Sequence, residues 1–80
     1  MNYFLYILKS TVSLKSYVGI TNNLNRRLAE HNSGKSFYTK RHCPWTMIYN
    51  EKYDSLKEAR KREKYLKSAS GRKFLKKLFN

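Results

Sequence analysis

Eighty residues, 40% hydrophobic and 15% aromatic, suffice for one small domain over residues 1–80 with a single modest core; they exclude a second domain and a disordered basic tail. Eighteen Lys and Arg face five acids (Glu30, Glu51, Asp54, Glu58, Glu63), a net charge of +13 that favours a polyanionic partner, nucleic acid before any other. On charge alone a ribosome-associated structural protein or a merely soluble basic protein is the alternative. The single cysteine, Cys43, cannot close an internal disulfide, and with two histidines it makes no Cys-rich zinc site. It is expected as a neutral or buried thiol in a reducing cytoplasm.

The chain opens with YFLYIL (Tyr3–Leu8), apolar on both alternating faces, which predicts a central strand buried on both sides. This run is too short for a membrane span, and it lacks the basic flank and small-residue cleavage site of a signal peptide. STVSLKS is a turn region, and SYVGI (Ser16–Ile20) a second strand in a hairpin with the first. Asn22 or Asn23 can cap a helix running to about His31, which Asn32–Gly34 stops. GKSFYTKRHC is a basic, aromatic loop with room for a helical turn. Pro44–Tyr53 reads as a third strand, with proline at its start, where a missing N–H does least harm. Ser55 and Glu58 form a capping box for a helix to about Lys67, Ser68–Gly71 breaks it, and RKFLKKLF makes a short basic helix with Phe74, Leu75, Leu78 and Phe79 inward. The order β-β-α-β-α-α predicts an α/β (α+β) domain: a small three-stranded sheet flanked by helices. The chain stops at Asn80 directly after this apolar helix, which leaves room for a longer natural C-terminus.

Three polar residues fall where apolar ones belong. Leu24, Leu28 and His31 share the inward stripe of the first helix, with Arg27 at its edge; in the second, Glu63 interrupts the stripe of Leu56, Ala59 and Leu66. Burying an unpaired Arg or Glu costs several kcal/mol, on the order of the whole stability of a small domain. These side chains must therefore pair, line a cleft or meet a ligand. An Arg27–Glu63 ion pair closing the core is the structural alternative. On the strands, Tyr6 and Tyr17 are candidates for the same cleft, and Gly19, on the face of Tyr17, leaves a gap there that a ligand could approach.

FLYIL and SYVGIT about ten residues apart, then NNLNRRLAEH, then SLKEARKREKYLKS, together resemble a GIY-YIG nuclease domain, and in particular the short stand-alone bacterial GIY-YIG proteins. The resemblance covers roughly residues 3 to 78 and rests on the ordered set of blocks. The first signature triad falls on Phe4-Leu5-Tyr6, which keeps only its tyrosine, and the second on Tyr17-Val18-Gly19. The resemblance places the family's catalytic arginine on Arg27, its metal-binding glutamate on Glu63, and a frequent helix histidine on His31.

This implies hydrolysis of a phosphodiester, most readily in DNA, with one divalent cation, Mg²⁺ or Mn²⁺, held by Glu63. Arg27 would fork onto the scissile phosphate. Tyr17, with Tyr6 near it, would orient or deprotonate the attacking water, its acidity raised by nearby cations. His31 would assist proton transfer or hydrogen-bond a tyrosine. Lys35, Lys40, Arg41 and His42 around Phe37 and Tyr38 suit phosphate contact plus stacking, and Lys61, Arg62, Lys64, Lys73, Lys76 and Lys77 suit salt-sensitive affinity. No separate specificity domain is expected within these 80 residues, so the resemblance implies a domain that would cut non-specifically, read DNA structure such as branches or flaps, or use a protein partner. A binding module of the same fold that does not cut, and a basic structural protein with an Arg27–Glu63 pair, are the rival readings. No membrane partner is expected, and the sequence does not set the oligomeric state.

Overall fold

A computed structural model describes residues 2–79. The elements run β1 (Tyr3–Ser10), β2 (Ser16–Thr21), α1 (Leu24–Asn32), a 3₁₀ turn (Thr39–His42), β3 (Trp45–Tyr53), α2 (Leu56–Leu66) and α3 (Ala69–Phe79), the β-β-α-β-α-α order expected. The sheet is antiparallel with β1 in the middle, in the order β2-β1-β3. Side chains pack on both faces of β1, and Leu5, Tyr6, Ile7 and Leu8 are accordingly all buried.

Alternation along β1 separates two cores. Leu5 and Ile7 join Val18 and Leu66, against which Ile48, Tyr49, Tyr53, Phe74, Leu75 and Leu78 pack. Tyr6 and Leu8 join Trp45, against which Tyr17, Leu24, Leu28, Cys43 and Met47 pack. β3 serves both cores because its register slips. Ile7 pairs with Tyr49 but Leu8 with Met47, so Ile48 is the extra residue of a bulge. A regular strand would put Trp45, Met47, Tyr49 and Glu51 on one face; the bulge sends the first two to one core and the last two to the other.

The helix ends follow local chemistry. Asn23 caps α1, its Oδ1 accepting from the Arg26 N–H at 3.0 Å, and the Ser55 Oγ accepts from the Glu58 N–H at 3.1 Å to start α2. Asn32 ends α1 and also ties it to β3: its Oδ1 accepts from the Trp45 N–H at 2.5 Å and its Nδ2 donates to the Trp45 carbonyl at 3.1 Å. Between β3 and α2, Glu51 accepts from the hydroxyls of Tyr49 and Tyr53 (2.5 and 2.6 Å) and from the Arg62 Nε and Nη2 (both 3.1 Å). Burial works against this carboxylate, but the two hydroxyls and the guanidinium outweigh it and hold Glu51 below the usual carboxylate range.

The α2–α3 junction differs from the expected break over Ser68–Gly71. α3 already begins at Ala69, and Ser68 acts as its cap, its Oγ accepting from the Gly71 N–H at 3.3 Å. Gly71 is buried inside the helix. A side-chain carbon there would overlap the Tyr65 carbonyl and the Leu66 backbone (2.7 Å from the Leu66 carbonyl carbon), so glycine is needed for close helix approach and not for a break.

Candidate active site

The site grows from the Tyr6–Gly19 pair of the β1–β2 ladder. The expected gap at Gly19 exists, but Tyr6 fills it: a carbon added at Gly19 would overlap the Tyr6 hydroxyl and lie 2.6 Å from the Tyr6 Cζ and 2.9 Å from the Tyr17 Cε1. The glycine thus seats a buried phenol against the sheet instead of admitting a ligand backbone.

The next side chains come from α1. One turn apart, Arg27 and His31 both reach the Tyr6 hydroxyl: the Arg27 Nε donates to it at 3.4 Å, and the His31 Nε2 lies 2.9 Å away. His31 has no exposed surface, and its Nδ1 lies 2.8 Å from the Oγ1 of Thr39, itself fully buried. The two contacts are complementary: a neutral His31 donates at one ring nitrogen and accepts at the other, and the Tyr6 and Thr39 hydroxyls can each take either role. Thr39 is held from outside by the Trp45 Nε1, which donates to its carbonyl at 2.7 Å.

Burial, reinforced by the Arg27 charge, pushes the His31 imidazolium down, so the ring is neutral at pH 7. Burial likewise pushes the Tyr6 phenol up to about 12, outweighing the Arg27 hydrogen bond. Tyr6 is therefore a neutral hydrogen-bonding group at pH 7. Arg27 stays fully charged; Tyr6 is the chief cause, with Glu30 adding to it.

Tyr17 is half-buried and opens outward. Its ring lies 4.8 Å from His31, 6.2 Å from Tyr6 and 6.0 Å from Tyr38, centroid to centroid. It lines a groove of about 340 Å³ with Ser16, Val18, Tyr38, Leu66, Lys67, Arg72 and Leu75. Glu63 is close enough for its charge to raise the Tyr6 value, and its side chain keeps only 26% of its exposure.

The alternative Arg27–Glu63 pair does not form. The Arg27 Nη1 pairs with the Glu30 Oε1 at 3.1 Å, and the Glu63 Oε2 pairs with the Lys67 Nζ at 3.2 Å. Tyr6, Tyr17, Arg27 and His31 thus form one cluster, with Glu63 on the neighbouring helix. The reading from sequence missed Thr39, Glu30, Lys67 and Arg72. Glu30 and Lys67 carried a signal, the i,i+3 and i,i+4 spacings of opposite charges on a helix; Thr39 carried none.

Of the expected phosphate-contacting residues, Lys35, Lys40, Arg41, Lys61 and Lys64 are exposed, and Lys40 and Arg41 sit over the Phe37 ring at 6.0 and 5.5 Å. Arg62 stands apart, forked onto Glu51 between the rings of Tyr65 and Phe74.

A three-stranded antiparallel sheet gathers two tyrosines from its hairpin with an arginine and a histidine from the following helix, in a small α+β domain. Residues 2–77 match the family model described as the GIY-YIG catalytic domain, and the chain belongs to that family. It is similar to the UPF0213 protein SH2523 of Staphylococcus haemolyticus (37% identity over 75 residues, 92% of this chain and 90% of the other). It is also similar to the UPF0213 protein CPE1444 of Clostridium perfringens (41% over 68 residues, 84% and 71%). Among solved structures, the solution structure of the UPF0213 protein BH0048 from Bacillus halodurans superposes with a TM-score of 0.58 at 31% identity, covering 98% of this chain and 85% of that one.

Proposed function

We propose that this chain is a metal-dependent endonuclease that hydrolyses phosphodiester bonds in DNA, with Tyr6, Tyr17, Arg27, His31 and Glu63 as its site. The observation that supports it is the way the acid and the arginine are held. Each is partly buried and pairs with a neighbour on its own helix instead of with the other, so no ion pair closes the core between them, and Tyr17 of the same cluster lines a groove. A basic structural protein predicts the opposite arrangement.

A divalent cation fits Glu63. Among the described residues no group of three His, Cys, Asp or Glu could hold a metal, so the protein's share would be this one carboxylate, now facing a lysine ammonium. A single carboxylate with water and phosphate oxygens suits Mg²⁺ or Mn²⁺, and neither a softer metal nor a full protein cage. When bound, such a cation supplies Lewis-acid stabilisation of the phosphate and leaving oxygen.

The chain's own residues do the rest. Arg27 engages Tyr6 through Nε and Glu30 through Nη1, which orients the guanidinium and leaves Nη2 for a phosphate oxygen. Tyr17, which unlike Tyr6 lines the groove, orients the attacking water. Tyr6 and His31 are neutral at rest and hold Arg27 and Tyr17 in place; with its ring proton on Nδ1, His31 would present Nε2 to the Tyr6 hydroxyl as the acceptor in a proton transfer. The exposed lysines add sequence-independent affinity.

The test is cleavage of plasmid, flap and branched DNA with Mg²⁺ or Mn²⁺, with Glu63→Gln and Arg27→Ala purified in parallel. Wild type nicks only with metal, and both variants lose about 10²-fold or more. Equal binding by all three proteins with no cutting of any substrate would replace this reading with a binding module of the same fold.

A further inference from the structure

The groove beside Tyr17 has a composition of its own. Its floor is apolar, made of buried Val18 and Leu66 with half-buried Leu75. Tyr17 and Tyr38 present their rings to it, and Tyr38 keeps 46% of its exposure. Lys67 and Arg72 add two cations, and no acid is among its lining residues. Arg72 has no side-chain hydrogen bond or ion pair among the described residues, and Lys67 is held only by an exposed i,i+4 contact with Glu63, which a phosphate oxygen can displace. Along this side β2 is an edge strand, so its outward peptide groups have no strand partner.

Apolar floor, aromatic rings, two cations and unpaired peptide groups suit a ligand with a flat heterocycle and a phosphate. The size sets the stoichiometry: about 340 Å³ lies at the small end of ligand pockets and admits one nucleotide, while a duplex about 20 Å across cannot enter. We propose that this groove binds one unpaired nucleotide, its base against the rings of Tyr17 and Tyr38 and its phosphate on Lys67 and Arg72. The chain therefore selects DNA with an unpaired nucleotide, such as a tail, flap or gap edge, over intact duplex. This rests on the nuclease reading only in placing the scissile phosphate near Tyr17.

The experiment separates the two. Binding is measured in EDTA, so that nothing is cut, by anisotropy of a tailed duplex and of a blunt duplex of the same sequence. A 2-aminopurine in the tail's first unpaired position reports stacking. Wild type binds the tailed DNA about tenfold more tightly, within the range that stacking of one base contributes, and the 2-aminopurine emission falls. Arg72→Ala removes most of this preference and lowers the salt slope by about one, while Lys57→Ala, which deletes an exposed charge elsewhere on α2, weakens both DNAs equally. Tyr38→Ala abolishes the emission change and Tyr38→Phe keeps it. Both Arg72 and Tyr38 are exposed, so these variants keep the fold, which circular dichroism checks.

Equal affinity for tailed and blunt DNA, or an Arg72→Ala variant indistinguishable from Lys57→Ala, overturns the groove. A preference that persists in a chain that never cuts with Mg²⁺ or Mn²⁺ upholds the groove and removes the nuclease reading. Metal-dependent cutting of tailed and blunt DNA at equal rates does the reverse.

Discussion

His31 is the residue on which the site turns. It is buried, uncharged and bonded at both ring nitrogens, so Tyr6 and Thr39 each lose a partner if it is replaced. Its native value lies below the ordinary imidazole value near 6.5, so at acid pH the unfolded chain binds a proton that the folded chain refuses. Stability attributable to this group is fully present above that ordinary value and falls as pH drops below it, by at most about 1.4 kcal/mol per pH unit. Thermal melts from pH 7.5 to 5 are expected to show this loss in the wild type and a flatter profile in His31→Gln. An identical profile in the two proteins would mean that His31 titrates freely. Glu51, whose native value is also lowered, contributes a separate loss at lower pH, as the solution approaches the carboxylate range.

At the scale of elements, one slip, one tether and one close approach hold the domain together. The bulge at Ile48 lets one strand supply both cores, and Asn32 fastens the end of α1 to the start of β3. Gly71 lets α3 leave α2 at the Tyr65–Leu66 backbone. Gly71→Ala would normally favour a helix, yet here the added methyl meets backbone that cannot rotate away. The expected outcome is destabilisation by about 2 kcal/mol, read as a fall of about 10 °C in Tm for a domain of this size. A Tm equal to or above wild type would show that the helices have room to separate. On α2, Lys67 holds the Glu63 carboxylate at 3.2 Å and so competes with any cation there. Removing an exposed i,i+4 pair of about 0.5 kcal/mol is expected to tighten Mn²⁺ binding about twofold in Lys67→Ala at low salt, by calorimetric titration. Weaker binding in that variant would mean that Lys67 helps to build the site.

For the whole molecule, charge sets the partner and the sheet sets the reach. A net charge of +13 on 80 residues supplies affinity for any polyanion without choosing a sequence. DNA affinity is expected to fall about 10²-fold or more between 50 and 200 mM salt, with a log–log slope corresponding to several phosphate contacts. A slope near zero would mean that binding is not carried by the exposed lysines. Arg62 is expected to contribute to stability and not to this slope, because Glu51 already occupies its guanidinium.

The strand and helix sequence, a capping asparagine at 22 or 23, the cap Ser55, the central place of YFLYIL and the anomaly of Arg27, His31 and Glu63 were all legible in the chain, because periodicity and capping are local properties. The family was legible too, since its blocks keep their order and spacing. Tertiary structure alone decided which charges meet. Arg27 and Glu63 lie on faces that suggest a pair, but each has a closer partner one helical turn away, and a short contact on the same helix needs no further ordering of the chain. Thr39 bonds His31 across a loop, and Arg72 reaches the groove from a third helix; neither position has a local signal. The role of Gly71 likewise depended on how two helices pack, since a glycine that breaks a helix and one that lets a neighbour approach look the same in sequence.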